Sequence, residues 1–136
     1  MKTAAAGWLF AGCLVASIIF SRADDSASAF VKTTIASNPL VIFSKSYCPY
    51  CKRAKNVFKE LKETPYVVEL DLRDDGGSIQ EEIGKMHGVW TVPQVFIGGQ
   101  RLGGSDDTVA AYSSGKLQKM LDDLKKSSGE SENYDL

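Results

Sequence analysis

Two cysteines three residues apart, in Tyr47-Cys48-Pro49-Tyr50-Cys51, are the residues of this chain best suited to covalent chemistry. A thiolate attacks disulfides, and a second thiol one helical turn away can attack the mixed disulfide that forms, so the pair reads as a nucleophile, Cys48, and a resolving thiol, Cys51. The nucleophile needs positive potential to ionise. A thiol at a helix N-terminus has it, because unpaired N–H groups and the positive end of the helix dipole favour the thiolate. Lys45, Lys52, Arg53 and Lys55 add charge of the same sign nearby. Two other uses of such a pair compete. A half zinc site would need two more ligands, and outside the motif the chain offers only Cys13 and His87. A permanent disulfide over so short a span closes almost no loop and gains little stability by that route.

The flanking segments predict how the pair is held. Leu40-Val41-Ile42-Phe43 is a continuous apolar run of the kind found in strands buried on both faces, and Ser44-Lys45-Ser46 is a polar turn. Beyond the motif, Ala54, Val57, Phe58 and Leu61 recur at helical spacing with lysines off the stripe, which predicts a helix from near Cys48 with Pro49 in its first turn. Tyr66 to Leu72 reads as a second strand, and a helix between two strands implies parallel pairing through a right-handed crossover. Ser78 to His87 reads as a helix with Ile79, Ile83 and Met86 on one face, and His87 as a residue of its end rather than a catalytic base. Thr91-Val92-Pro93 leads into a strand, a glycine turn and a return strand ending near Leu102. Acids after Gly103-Gly104-Ser105 suit the first turn of a helix, and Leu117, Met120, Leu121 and Leu124 mark a last one. The order predicts an α/β fold with a four-stranded mixed sheet flanked by helices.

The remaining chain bounds the class. At 136 residues, 43% apolar and 24% charged, it is one ordinary domain with extensions, and a net charge of −1 leaves no footprint for nucleic acid. Thr3 to Ser21 is uncharged and apolar, with small residues at Ser21 and Ala23, so residues 1–23 read as a secretory signal peptide or, uncleaved, a membrane anchor. Cleavage would remove Lys2 and Arg22 from 16 basic residues, leaving 14 against 17 acids, a net charge of −3. The expected location is therefore the secretory pathway, in the endoplasmic reticulum lumen or secreted, with membrane anchoring as the alternative. Residues 24–28 read as a linker, 29–126 as the catalytic domain, and 127–136 as a disordered polar tail.

In this order and spacing, Tyr47-Cys48-Pro49-Tyr50-Cys51, Thr91-Val92-Pro93 and Gly103-Gly104-Ser105-Asp106-Asp107 resemble a dithiol glutaredoxin of the thioredoxin superfamily, and the leader resembles that of some plant members. The resemblance implies a thioredoxin-like fold and a glutathione-dependent thiol–disulfide oxidoreductase that reduces glutathione mixed disulfides and protein or small disulfides. Glutathione is the implied co-substrate and no metal is expected. The implied partners are glutathionylated or disulfide-containing proteins and, indirectly, glutathione reductase with NADPH, with the protein itself a monomer. By the same resemblance, Pro93 is cis, the Val92 main chain pairs with the cysteinyl part of glutathione, Thr91 belongs to the same glutathione-binding loop, and Lys45 and Gln80 hold the glycine carboxylate. Tyr50 borders the groove, and Gly104, Ser105 and Asp106 receive the γ-glutamyl end, with Asp107 competing for the ammonium. Two rival functions are a glutathione-ligated [2Fe–2S] cluster protein, which Pro49 argues against, and a thioredoxin or disulfide-isomerase-like enzyme, whose usual Trp-Cys-Gly is absent.

Overall fold

A computed structural model of the chain describes the backbone of residues 16–130 and the side chains of residues 25–129. The elements run α1 (Ala16–Ser37), β1 (Leu40–Ser44), α2 (Pro49–Glu60), β2 (Tyr66–Glu69), a 3₁₀ turn (Leu70–Leu72), α3 (Gly76–His87), β3 (Gln94–Ile97), β4 (Gln100–Gly103), α4 (Ser105–Ser113) and α5 (Lys116–Glu130). Strand order is β2-β1-β3-β4, with β1 parallel to β2 and antiparallel to β3, and β4 antiparallel to β3. This is the mixed, helix-flanked sheet that the sequence predicts.

Every residue of β1 is buried because the strand is central and both its faces are covered. Leu40 and Ile42, with Val95 and Ile97, face Ala54, Val57 and Phe58 of α2 and Ala111, Leu117 and Leu121 of α4 and α5. Val41, Phe43, Val68 and Phe96 face Ala27 and Val31 of α1 and Ile79 and Ile83 of α3. Successive side chains of a strand point to opposite faces, so a four-residue apolar run feeds two cores at once. Phe43 and Phe96 meet edge to face across β1 and β3, with ring centroids 5.7 Å apart. The rigid product is a sheet whose β1 ends directly at the cysteine motif.

Three expectations change. Residues 24–28 are not a linker: α1 runs through them, and Ala27 is buried against the α3 side of the sheet, because Ala27, Val31 and Thr34 make one inward stripe at helical spacing. The second strand stops at Glu69, and Leu70–Leu72 turns as a 3₁₀ helix, which buries Leu70 and sends Asp71 toward the motif loop. Residues 127–130 of the expected tail continue α5. The leader expectation falls mostly on residues 1–15, outside the described residues. Among the described residues, no helix is long and apolar enough to cross a membrane.

Candidate active site

Cys48 is the N-cap of α2, with extended backbone (φ −79°, ψ 120°) and Pro49 as the first helical residue. Proline is tolerated there because its missing N–H would have had no intrahelical acceptor. The Cys48 N–H donates to the Lys45 carbonyl at 3.0 Å, and the Cys51 N–H donates to Cys48 Sγ at 3.4 Å. The sulfur thus occupies the place of a capping oxygen. Burial works against ionisation of Cys48, but hydrogen bonds from the Cys51 thiol and from the main chain of Cys51 and Tyr50, with the charge of Lys45, outweigh it and lower its pKa. Burial pushes the Cys51 thiol the other way; the main chain of Lys45 and the Ser44 hydroxyl offset this only partly, and Cys48 reinforces it. Cys51 is fully buried, whereas Cys48 retains 9% exposure. The two thiols are therefore chemically unequal: the partly exposed Cys48 is shifted toward the thiolate, and the covered Cys51 is shifted toward the thiol.

The loop before the motif is tied down by a residue that sequence reasoning missed. Asp71 accepts from the Ser46 N–H at 2.8 Å and also from the Ser46 hydroxyl, and these two bonds hold its carboxyl below the usual carboxylate range. Its position inside an apparent strand pattern, Leu70-Asp71-Leu72, concealed this contact.

Across from Cys48 lies the loop of Thr91, Val92 and Pro93, with a cis Val92–Pro93 peptide. The Cys48 thiol faces the Val92 carbonyl at 4.0 Å. Beside them is an open cavity lined by Tyr50, Thr91, Val92, Pro93, Gly104, Ser105, Asp106 and Asp107. Seven of the expected site residues thus converge: Tyr50 from α2, Thr91 to Pro93 from the cis loop, and Gly104 to Asp106 from the start of α4. Lys45 and Gln80 do not line this cavity. Lys45 acts on Cys48 through its charge, and Gln80 donates its side-chain amide to the Trp90 carbonyl, bracing the stretch that leads into Thr91. The Trp90 indole lies against α3 at Gly84, where an added Cβ would meet Nε1 at 2.1 Å, so that glycine permits the packing.

The two acids at the start of α4 separate in role. Asp107 turns back and accepts from the Gly104 N–H at 3.0 Å, while the Thr108 hydroxyl donates to the Gly104 carbonyl at 2.8 Å. Gly103 makes room for this cap, since its φ is 134° and a Cβ would lie 2.2 Å from Asp107 Oδ2. Asp106 points out and pairs with Arg53 of α2 at 2.9 Å. Ser105 Oγ is buried without a hydrogen-bond partner beside the N-terminal N–H groups of the helix, an arrangement suited to an anionic group. Among the described residues, no three His, Cys, Asp or Glu side chains are grouped as a metal site.

Known proteins resemble this chain in sequence and in fold. A family model described as Glutaredoxin matches residues 40–102. Glutaredoxin-C4 of Arabidopsis thaliana is 62% identical over 105 residues, covering 77% of this chain and 78% of the relative. Glutaredoxin-C8 of Oryza sativa subsp. japonica is 64% identical over 98 residues, covering 71% and 72%. Among solved structures, a buckwheat glutaredoxin–glutathione complex superposes with a TM-score of 0.73 at 40% identity, covering 75% of this chain and 93% of that one.

Proposed function

The chain belongs to the glutaredoxin family and is a glutathione-dependent thiol–disulfide oxidoreductase; from that premise we propose how its own residues divide the work. The Cys48 thiolate attacks the glutathionyl sulfur of a mixed disulfide. The S–S bond breaks, the substrate leaves as thiolate and takes up a proton, and glutathione stays on Cys48. A second glutathione thiolate attacks that sulfur, forming glutathione disulfide and restoring the Cys48 thiolate. With a protein disulfide, Cys48 forms a mixed disulfide with one protein sulfur, and Cys51, once deprotonated, displaces it to give a Cys48–Cys51 disulfide. Two glutathiones then reduce that bond, and glutathione reductase with NADPH recycles the glutathione disulfide.

Binding follows the cavity. The Val92 main chain pairs with the cysteinyl part of glutathione as an added strand, which needs no particular side chain. The Gly104–Ser105 end of α4 receives the γ-glutamyl carboxylate, with the Ser105 hydroxyl available to it, and Asp106 takes the ammonium in place of Arg53. Tyr50 forms the wall on the α2 side. Lys45 and Gln80 complete the pocket at the glycine carboxylate, which requires Gln80 to exchange its bond to Trp90 for the ligand. The proposed partners are glutathionylated and disulfide-containing proteins. The apolar leader supports entry into the secretory pathway. Cleavage after Ala23 would leave the buried stripe Ala27, Val31 and Thr34 intact, and N-terminal sequencing of the protein from its native tissue would then begin at Asp24.

The observation that carries this reading is the inequality of the thiols, with Cys48 capping α2 at the cavity and Cys51 sealed behind it. Its test is turnover of a glutathionyl mixed disulfide with glutathione, NADPH and glutathione reductase. Cys51→Ser retains activity, since glutathione itself can resolve the intermediate, whereas Cys48→Ser is inactive. Activity in Cys48→Ser, or its complete loss in Cys51→Ser, would overturn the assignment.

A further inference from the structure

The first residue of β3 is an amide in an apolar row. Gln94 is only 2% exposed and stands opposite Phe43 of β1. Burying an amide there is costly unless its polar atoms find partners, and both ends do. Nε2 donates to the Thr91 carbonyl at 2.9 Å, and Oε1 accepts from Arg101 Nε of β4 at 2.7 Å. Arginine carries donors only, so Arg101 selects the oxygen end of the amide and leaves the NH₂ end for Thr91.

The Thr91 carbonyl belongs to the same peptide unit as the Val92 N–H. The cis bond is the next one along, Val92–Pro93. Across the planar trans Thr91–Val92 unit, C=O and N–H point in opposite directions. Drawing the Thr91 oxygen in toward Gln94 therefore turns the Val92 N–H outward, to the side where Thr91 and Val92 line the cavity beside Cys48. Pro93 has no N–H to offer, so Val92 holds the last main-chain donor before the strand. We propose that Arg101 and Gln94 form a relay that aims the Val92 N–H at the bound glutathionyl group, which makes Gln94 a positioning residue for glutathione recognition. The proposal rests on the Val92 pairing described under the proposed function.

Three rates measured on each protein test it: kcat/KM for the mixed disulfide of cysteine and glutathione, the single-turnover reduction of cystamine by the pre-reduced protein with no glutathione present, and the alkylation of Cys48 by iodoacetamide. Gln94→Glu keeps the side-chain size and the acceptor for Arg101 but sets a carboxylate oxygen against the Thr91 carbonyl. The expected result is a five- to tenfold fall in kcat/KM for the glutathionyl substrate, about what one misdirected main-chain hydrogen bond costs. Arg101→Ala releases the amide and lowers it about two- to threefold, and that surface variant carries the test alone if Gln94→Glu does not fold. Cystamine reduction and alkylation stay within twofold of wild type in both. Glutathionyl selectivity unchanged in both variants, or all three rates falling together, refutes the relay. If the wild-type protein itself shows no preference for the glutathionyl disulfide over cystamine, the pairing at Val92 fails along with it.

Discussion

Asp106 and Asp107 are neighbours of the same type, yet the structure separates them sharply enough that their substitutions should have opposite signatures. Asp107 accepts the Gly104 N–H and caps α4. Asp107 sits at the third helical position and Gly104 is the N-cap, so what is lost is one hydrogen bond to the cap main chain, about 1 kcal/mol with a range of roughly 0.5–1.5. For a domain of this size, unfolding entropy of about 2.1 cal/mol/K per residue turns that into a fall in Tm of about 4–5 °C. Asp106 does little for the fold. Its side chain is 89% exposed and its partner Arg53 50%, so solvent screens the pair and its loss should shift Tm by no more than about 2 °C. In the proposed binding mode, Asp106 supplies a carboxylate at the cavity for the γ-glutamyl ammonium. Loss of one charge-assisted contact at a partly solvated site raises KM for glutathione about five- to tenfold. The assay is thermal unfolding of the reduced protein beside steady-state kinetics at varied glutathione for Asp106→Asn and Asp107→Ala. Asp106→Asn should raise KM with kcat near wild type and Tm almost unmoved, and Asp107→Ala should lower Tm with a smaller change in KM. Reversed signatures, or two variants that behave alike, would refute the division of roles.

Two further outcomes follow from the thiols and the loop before Thr91. Because the Cys48 pKa is lowered and that of Cys51 raised, iodoacetamide at pH 7 should label one thiol per reduced chain from residue 24 onward. The rate should rise with pH and level off below the range of an ordinary thiol. Lys45→Ala removes a charge that favours the thiolate, so the plateau should move to higher pH; mass spectrometry and the pH profile read both results, and labelling of Cys51 before Cys48 would contradict them. Gly84→Ala puts a methyl where the Trp90 indole lies, so Trp90 must move away and release the bond from Gln80 to its carbonyl. In the chain from residue 24, Trp90 is the one tryptophan, so the displacement should appear as a shift in emission. Unchanged emission would mean that the indole does not rest on Gly84.

Much of the chemistry was legible along the chain because it is local. An apolar run before the cysteines, a proline after the first one and a 3.6-residue stripe beyond the second suffice to place Cys48 at a helix start, and the structure puts it at the N-cap. The strands and the glycine turn were readable for the same reason, since periodicity and turn residues act over a few positions. Residues 24–28 were misread because small and polar residues look like a linker until Ala27 is seen to face a core built from α3 and the sheet. Asp71 and Gln94 were passed over because a residue's type does not reveal a partner 25 positions away, as for Asp71 and Ser46, or one on another strand, as for Gln94 and Arg101.

What the sequence by itself determined, then, is the placement of Cys48 at a helix start with Cys51 one turn on, and the α/β order that carries them, because these follow from neighbouring residues and their periodicity. Only the tertiary structure decided which of two adjacent aspartates caps a helix and which meets solvent. It also decided that Lys45 acts on Cys48 through charge while Gln80 braces Trp90, and which way the peptide before the cis proline faces. Those outcomes depend on side chains brought together from separate elements, where distance and burial select the partner.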